Sequence, residues 1–167
     1  MNKVDRNCIL TAEAVERKLH RMALEIIEQN AAEHSFIIAG IIGNGEVVAK
    51  SLMQAIQNIT HASLLYLTIH LDKKNPLDAS ISPEAEINEQ VVLIVDDVAN
   101  SGRTMLYALK PFLQFRPKKI QTVTLVERSH KLFPIQSDYV GVSLSTTLQE
   151  HIVVETKDEE ITGAWLQ

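Results

Sequence analysis

Asp96 and Asp97 stand side by side after five apolar residues, Val91 to Val95. The small-residue stretch Ala99-Asn100-Ser101-Gly102 and then Arg103-Thr104 follow them. Adjacent carboxylates where a strand ends can hold a divalent cation or the hydroxyls of a sugar. A turn of small residues feeding a helix presents backbone N–H groups and a positive dipole end to a phosphate. The two features in sequence suit a ligand that is a sugar, a phosphate and a metal complex at once. Taken alone, the aspartates would read as an acidic turn, and Ser101 and Thr104 as helix caps. The apolar strand before them and the Ser-Gly-x-Thr helix start after them favour the binding reading.

The elements that must position these groups alternate along the chain. Thr11 is placed to cap a helix reaching about Asn30, with Val15, Leu19, Met22, Ile26 and Ile27 as its apolar stripe. Phe36 to Ala39 read as a buried strand, Glu46 to Gln57 as a helix and Ala62 to Leu71 as a strand. Residues 72–89 are polar, contain two prolines and show no periodicity, which marks a functional or mobile loop. After Val91 to Val95 comes a helix from about Gly102 to Phe115, which Pro111 should kink or end. Ile120 to Val126 is another buried strand, and 127–149 are irregular. Ile152-Val153-Val154 form a last short strand before an acidic tail that holds Trp165. Strands alternating with helices imply a single α/β domain over 1–167, its mostly parallel sheet flanked by helices, with ligands at the strands' C-terminal ends.

A second glycine turn, Gly40-Ile-Ile-Gly-Asn-Gly45, nearly matches two nucleotide-binding patterns and satisfies neither. Glu46-Val47 stand where a triphosphate loop needs Lys and Ser/Thr, and the glycine order is not G-x-G-x-x-G. What remains is either a turn whose backbone can approach an anion, or a strand-to-helix turn needing positive φ. The six histidines (20, 34, 61, 70, 130 and 151) show no zinc-ligand spacing. Arg17, Lys18 and Arg21 form a basic cluster in which Arg17 and Arg21 have Glu13 and Glu25 four residues away, the pattern of a solvated, ion-paired face. A hydrophobic content of 46% with 22% charged residues is ordinary for a soluble globular domain. No apolar run approaches a membrane span, and MNKVDRNCIL lacks the apolar stretch of a signal peptide. Cys8 is the single cysteine, so no internal disulfide can form and a cytoplasmic home is expected. A net charge of −5 weighs against broad nucleic-acid binding.

VVLIVDDVANSGRT resembles the signature of type I phosphoribosyltransferases: apolar strand, two acids, small loop, then T/S-G-x-T. ILTAEAVERKLHRMALEIIEQN and LVERSHKLFPIQSDYVGVSLSTT extend the likeness over nearly the whole chain, toward the bifunctional pyrimidine-operon regulators with uracil phosphoribosyltransferase activity. The resemblance implies a parallel core and a small hood, placed at about 127–150 plus the chain ends. It implies Mg²⁺ with phosphoribosyl pyrophosphate and a nucleobase, and a homodimer or higher homo-oligomer. Asp96 and Asp97 would then lie at the ribose hydroxyls and the metal, and their charge would favour an oxocarbenium-like transition state. Ala99, Asn100, Ser101, Gly102, Arg103 and Thr104 would hold the 5′-phosphate, and Gly43, Asn44 and Gly45 the pyrophosphate. Residues 72–89, with Lys73 and Lys74, would be a flexible loop excluding water. Val126, Arg128 and Val142 would face the base.

Departures from that pattern sharpen the expectation. Asn100 stands where hypoxanthine-type relatives have an aspartate at the purine N7; an amide takes no proton at neutral pH, which favours a pyrimidine. The regulators' Thr-Arg-Gly loop is here Gly43-Asn44-Gly45, without its arginine, and their Tyr-Arg pair matches His70-Leu71. Leu24, Gln29, Gln136 and Val142 occupy positions commonly basic in those regulators, while Arg21 and Lys131 remain. RNA binding is therefore expected to be weak. Three functions stay open at this point: a uracil-directed transferase, a nucleotide-responsive RNA-binding attenuator, and a catalytically silent binder of phosphoribosyl pyrophosphate or nucleotides.

Overall fold

The computed structural model describes residues 6–167. Its main sheet has six strands in the order β4-β3-β2-β5-β6-β7. These are β2 (Ser35–Ile41), β3 (Ser63–His70), β4 (Ser80–Ser82), β5 (Val91–Ala99), β6 (Lys119–Arg128) and β7 (Tyr139–Leu144). All neighbouring pairs are parallel except β3 with the short edge strand β4. The apolar runs split cleanly between the two faces. Phe36, Ile38, Val91, Leu93 and Val95 pack toward α1 (Ala12–Gln29) and α2 (Asn44–Gln57). Ile37, Ala39, Val92 and Ile94 pack toward α3 (Arg103–Ala108) and Phe112. Burial of both faces is what a continuous apolar run in a parallel strand requires.

Local signals hold where they rest on local chemistry. The Thr11 side chain accepts the Ala14 N–H and caps α1. Pro111 does end the third helix: α3 stops at Ala108, and a single 3₁₀ turn, Lys110–Phe112, follows. Gly40 proves to be inside β2 rather than in the turn; a Cβ there would lie 2.9 Å from the Ala49 Cβ, so its absence lets α2 approach the sheet.

The hood departs from the expected boundaries. It is a separate antiparallel sheet, β1-β9-β8, built from the chain ends: β1 (Asn7–Thr11), β8 (Ile152–Lys157) and β9 (Glu160–Leu166). The stretch read as an acidic tail is therefore a strand, with Ile161 and Ala164 buried and Trp165 opposite both Cys8 and Val153. Residues 139–144 belong to the main sheet instead. Tyr139 is fully buried there, and a Cβ on Gly141 would sit 2.3 Å from the Leu125 carbonyl oxygen, so β7 lies flush against β6. Residues 129–138 loop back over the sheet edge; the Leu132 and Phe133 N–H groups both donate to the Ser101 carbonyl at 3.0 Å.

Candidate active site

Asp96 and Asp97 lie within β5, the strand between β2 and β6, which runs on to Ala99 rather than ending at Val95 as the apolar run suggested, because Asp96, Val98 and Ala99 still pair with β6. Both are buried. The Asp96 carboxylate accepts the Asp97 N–H at 2.9 Å and the Lys73 ammonium at 2.9 Å, and Lys73 lies 3.4 Å from Asp97. Burial, then the adjacent negative charge of Asp97, push the Asp96 carboxyl up to about 7, against the pull of Lys73. Lys73 is held above its usual value: burial works against its charge, but the two carboxylates outweigh burial. An anionic pair that draws in the nearest cation has the hard-oxygen donors a divalent metal takes. No group of three or more acidic, histidine or cysteine side chains accompanies it among the described residues. Two carboxylates are among the donor sets that can hold Mg²⁺, the rest of its shell being water and substrate oxygens.

Beside the acids, Val98 to Thr104 turn through Gly102, whose φ is +84°. A Cβ at Gly102 would meet the Ile135 Cγ2 at 2.7 Å, so glycine is needed both for the backbone angle and for space. The Arg103 N–H donates to the Ser101 hydroxyl, while the N–H groups of Asn100, Ser101 and Gly102 donate to no group among the described residues. The turn is thus braced from behind by residues 132–135 and leaves donors free for an anion.

A cavity of about 460 Å³ opens over this edge. Of the residues singled out in the sequence, Asn44, Lys73, Asp96, Asp97 and every residue from Ala99 to Thr104 line it. The structure does not bring the others to it. Val126 is fully buried in the core, with Val142 packed against the same cluster. Arg128 turns its guanidinium to the Glu150 carbonyl. Lys74 is exposed, its own N–H on the Asp72 carboxylate. Gly43 and Gly45 flank Asn44 without lining the cavity themselves. Sequence reasoning missed Val98, Met105 and the wall formed by Ile152, Val153 and Val154 of β8. The signal for that wall was the apolar triplet itself; its facing the cavity depends on how the hood folds over.

The turn after β2 is arranged differently. Gly43 takes φ +93°, and its N–H donates to the Glu46 carboxylate at 3.1 Å. The Asn44 side chain bridges to the hood: its nitrogen donates to the Val154 carbonyl at 2.9 Å and its oxygen accepts the Thr156 hydroxyl at 3.2 Å. Glu46 also accepts the Thr68 hydroxyl at 3.0 Å. Partial burial raises the Glu46 carboxyl, yet donation from Gly43, Thr68 and Tyr66 outweighs it and holds the group below its ordinary value.

Residues 5–160 match the phosphoribosyl transferase domain family. The chain belongs to that family. Bifunctional protein PyrR of Alkaliphilus metalliredigens is 35% identical over 156 residues, covering 87% of this chain and 86% of that protein. Its counterpart from Haemophilus ducreyi is 32% identical, covering 89% of each. Among solved structures, a hypoxanthine-guanine phosphoribosyltransferase of Bacillus anthracis matches with a TM-score of 0.73 at 19% identity, over 88% of this chain and 85% of that one. The hypoxanthine phosphoribosyltransferase of Trypanosoma cruzi, as a point mutant in a ternary substrates complex, reaches 0.76 at 15% identity, over 95% and 94%. The fold expected from the sequence, the type I phosphoribosyltransferase sheet with helices on both faces, is the one observed. Among the described residues no helix is long and apolar enough to cross a membrane.

Proposed function

We propose that the protein transfers ribose 5-phosphate from phosphoribosyl pyrophosphate to a pyrimidine base, uracil foremost, and releases pyrophosphate. The observation that carries this reading is one cavity holding both the buried acid pair and the unengaged amides of Asn100, Ser101 and Gly102. Those amides, with the Ser101 and Thr104 hydroxyls, hold the 5′-phosphate. Asp96 and Asp97 take the ribose hydroxyls and would hold Mg²⁺, which when bound neutralises charge on the donor's oxygens. Their anionic field favours positive charge developing at the anomeric carbon. Lys73 covers the acids until the donor enters, and its loop then shields the reacting centre from water. The apolar wall of Ile152 to Val154 takes over the base-facing role that the resemblance implies for Val126, Arg128 and Val142. Asn100 offers no base for a purine N7 proton, which supports a pyrimidine. A homodimer or higher homo-oligomer, implied by the family resemblance, and a cytoplasmic home, expected from the single cysteine, belong to the same reading.

RNA binding is not part of this proposal. Of the two cations retained on the face in question, Arg21 donates to the Val140 and Gly141 carbonyls and pairs with Glu25 at 2.6 Å. Lys131 pairs with the buried Glu127 at 3.0 Å. Both are engaged within the chain, and phosphate contacts require free cations. The test is a panel of uracil, orotate, xanthine, guanine and hypoxanthine with labelled phosphoribosyl pyrophosphate and Mg²⁺. Turnover with uracil alone or foremost is expected; turnover with none would remove the reading, and preference for a purine would remove its pyrimidine half.

A further inference from the structure

Glu127 is a buried carboxylate that the chemistry above leaves unused. It is the last buried side chain of β6, 3% exposed, and stands in register with Ala99, where the phosphate-side turn leaves β5. It does not line the cavity. A carboxylate withdrawn from water must be matched by donors or a cation. Its partners among the described residues both come from the loop 129–138. The Ser137 N–H donates to Oε1 at 3.0 Å, and the Lys131 ammonium lies 3.0 Å from the same oxygen. Lys131 also donates to the Arg128 carbonyl at 2.7 Å.

The dependence runs both ways. Were the loop to lift, Glu127 would stay between its strands and lose both partners, so the loop is held down even though Leu132 is exposed. Between Lys131 and Ser137 the loop meets the turn. The Leu132 and Phe133 N–H groups donate to the Ser101 carbonyl, and Ile135 packs where a Gly102 Cβ would be. In a trans peptide unit the carbonyl and the following N–H point in opposite directions. Holding the Ser101 carbonyl outward therefore aims the Gly102 N–H toward the cavity that Gly102 lines.

Building on the phosphoribosyl reading above, we propose that Glu127 and Lys131 are positioning residues for the 5′-phosphate, acting through the loop 129–138 on the Ser101–Gly102 peptide. Neither touches the ligand. Their ion pair keeps the loop seated, the loop keeps the carbonyl turned out, and the amide is aimed before the anion arrives. Binding then leaves little of the turn to reorganise. Lys131 contributes geometry here, and its charge is spent on Glu127.

Two titrations of the full chain test this: ribose 5-phosphate by isothermal titration calorimetry, and Mn²⁺ alone by electron paramagnetic resonance. Lys131→Met is expected to weaken ribose 5-phosphate about tenfold, a loss on the scale of a misplaced binding group, and to leave Mn²⁺ at Asp96 and Asp97 within about twofold. Lys131→Arg restores a cation for Glu127 and should stay within about twofold of the parent for both ligands. Glu127→Gln keeps the shape without leaving a buried carboxylate unpaired, and should weaken ribose 5-phosphate several-fold. Hydrogen exchange at the Leu132 and Phe133 amides should accelerate in Lys131→Met far more than at Leu93 in β5.

Unchanged ribose 5-phosphate affinity in Lys131→Met would overturn the inference. So would equal losses of ribose 5-phosphate and Mn²⁺, or acceleration at Leu93 matching that at Leu132 and Phe133, since either marks a general loosening of the fold. An intact protein that binds no ribose 5-phosphate would instead strike the phosphoribosyl reading itself, and the inference with it.

Discussion

The turn after β2 and the turn after β5 leave neighbouring parallel strands at the same edge of the sheet, and each passes through a glycine of positive φ, +93° at Gly43 and +84° at Gly102. From there they diverge. The β5 turn is braced on its outer side by the Leu132 and Phe133 amides, which occupy a carbonyl and leave its own N–H groups open to the cavity. The β2 turn is braced by a carboxylate, which occupies an N–H and brings a negative charge. Glycine spacing alone thus does not make an anion site. The two turns differ in which half of the peptide unit the surrounding structure uses at the glycine: a carbonyl is engaged at Ser101, an N–H at Gly43.

The largest effect should come from the acids between the two turns. Asp96→Asn is expected to lower turnover with phosphoribosyl pyrophosphate by about 10²-fold or more, the usual loss when a preorganised charge is removed from a reacting centre. Steady-state assay of folded protein measures it, and a drop below about threefold would move the chemistry elsewhere.

Exchanging the glycines separates the turns next. Gly102→Ala adds both a left-handed-backbone penalty and a 2.7 Å clash with Ile135, and should cost about 3 kcal/mol of stability. Gly43→Ala adds the backbone penalty alone, since nothing lies within 4 Å of its Cβ position, and should cost about 1 kcal/mol. Denaturant unfolding of the two variants reads the difference; equal losses would mean the β5 turn is not braced as described.

How much of this was visible in the sequence follows the range of the interactions involved. Most of Val91 to Thr104 and the Thr11 cap were legible because their causes lie within a few residues: apolar runs buried on both faces, a hydroxyl three residues before an N–H, an acid pair late in a strand, though that strand runs on to Ala99. The hood was not. β9 pairs with β1 across the length of the chain, the acidic Asp158-Glu159-Glu160 leads into it, and its buried Ile161 and Ala164, three residues apart, do not follow the two-residue alternation of a strand. For the same reason the Asn44 bridge to Val154 and Thr156 was hidden, and Asn44 was expected, with Gly43 and Gly45, at the pyrophosphate. Val126 and Val142 were placed at the base by the family resemblance, which does not show which residues of a strand its neighbours bury.

A smaller effect concerns Lys73. Lys73→Met removes the cation that covers the acid pair and should raise affinity for Mn²⁺ alone by about threefold to tenfold, read by electron paramagnetic resonance. Lys74→Met, at an exposed position turned elsewhere, should change nothing. A loss of Mn²⁺ affinity on removing Lys73 would contradict the covering role.

A final prediction concerns pH dependence. Asp96 has an unfolded value near 3.8 and a folded one of about 7, so between these the folded chain holds more protons than the unfolded chain. Stability from this group therefore falls as pH rises from about 4 to about 7 and is flat above. In chelator, Asp96→Asn should gain stability relative to the parent across that window. A difference independent of pH would show that Asp96 is ionised throughout.

The most direct measurement is an amide NMR titration with ribose 5-phosphate. The N–H resonances of Asn100, Ser101 and Gly102 should move strongly and together, while that of Gly43 stays on Glu46 and barely shifts. Movement centred on Gly43 to Gly45, with 100 to 102 unmoved, would contradict the assignment of the phosphate to the β5 turn.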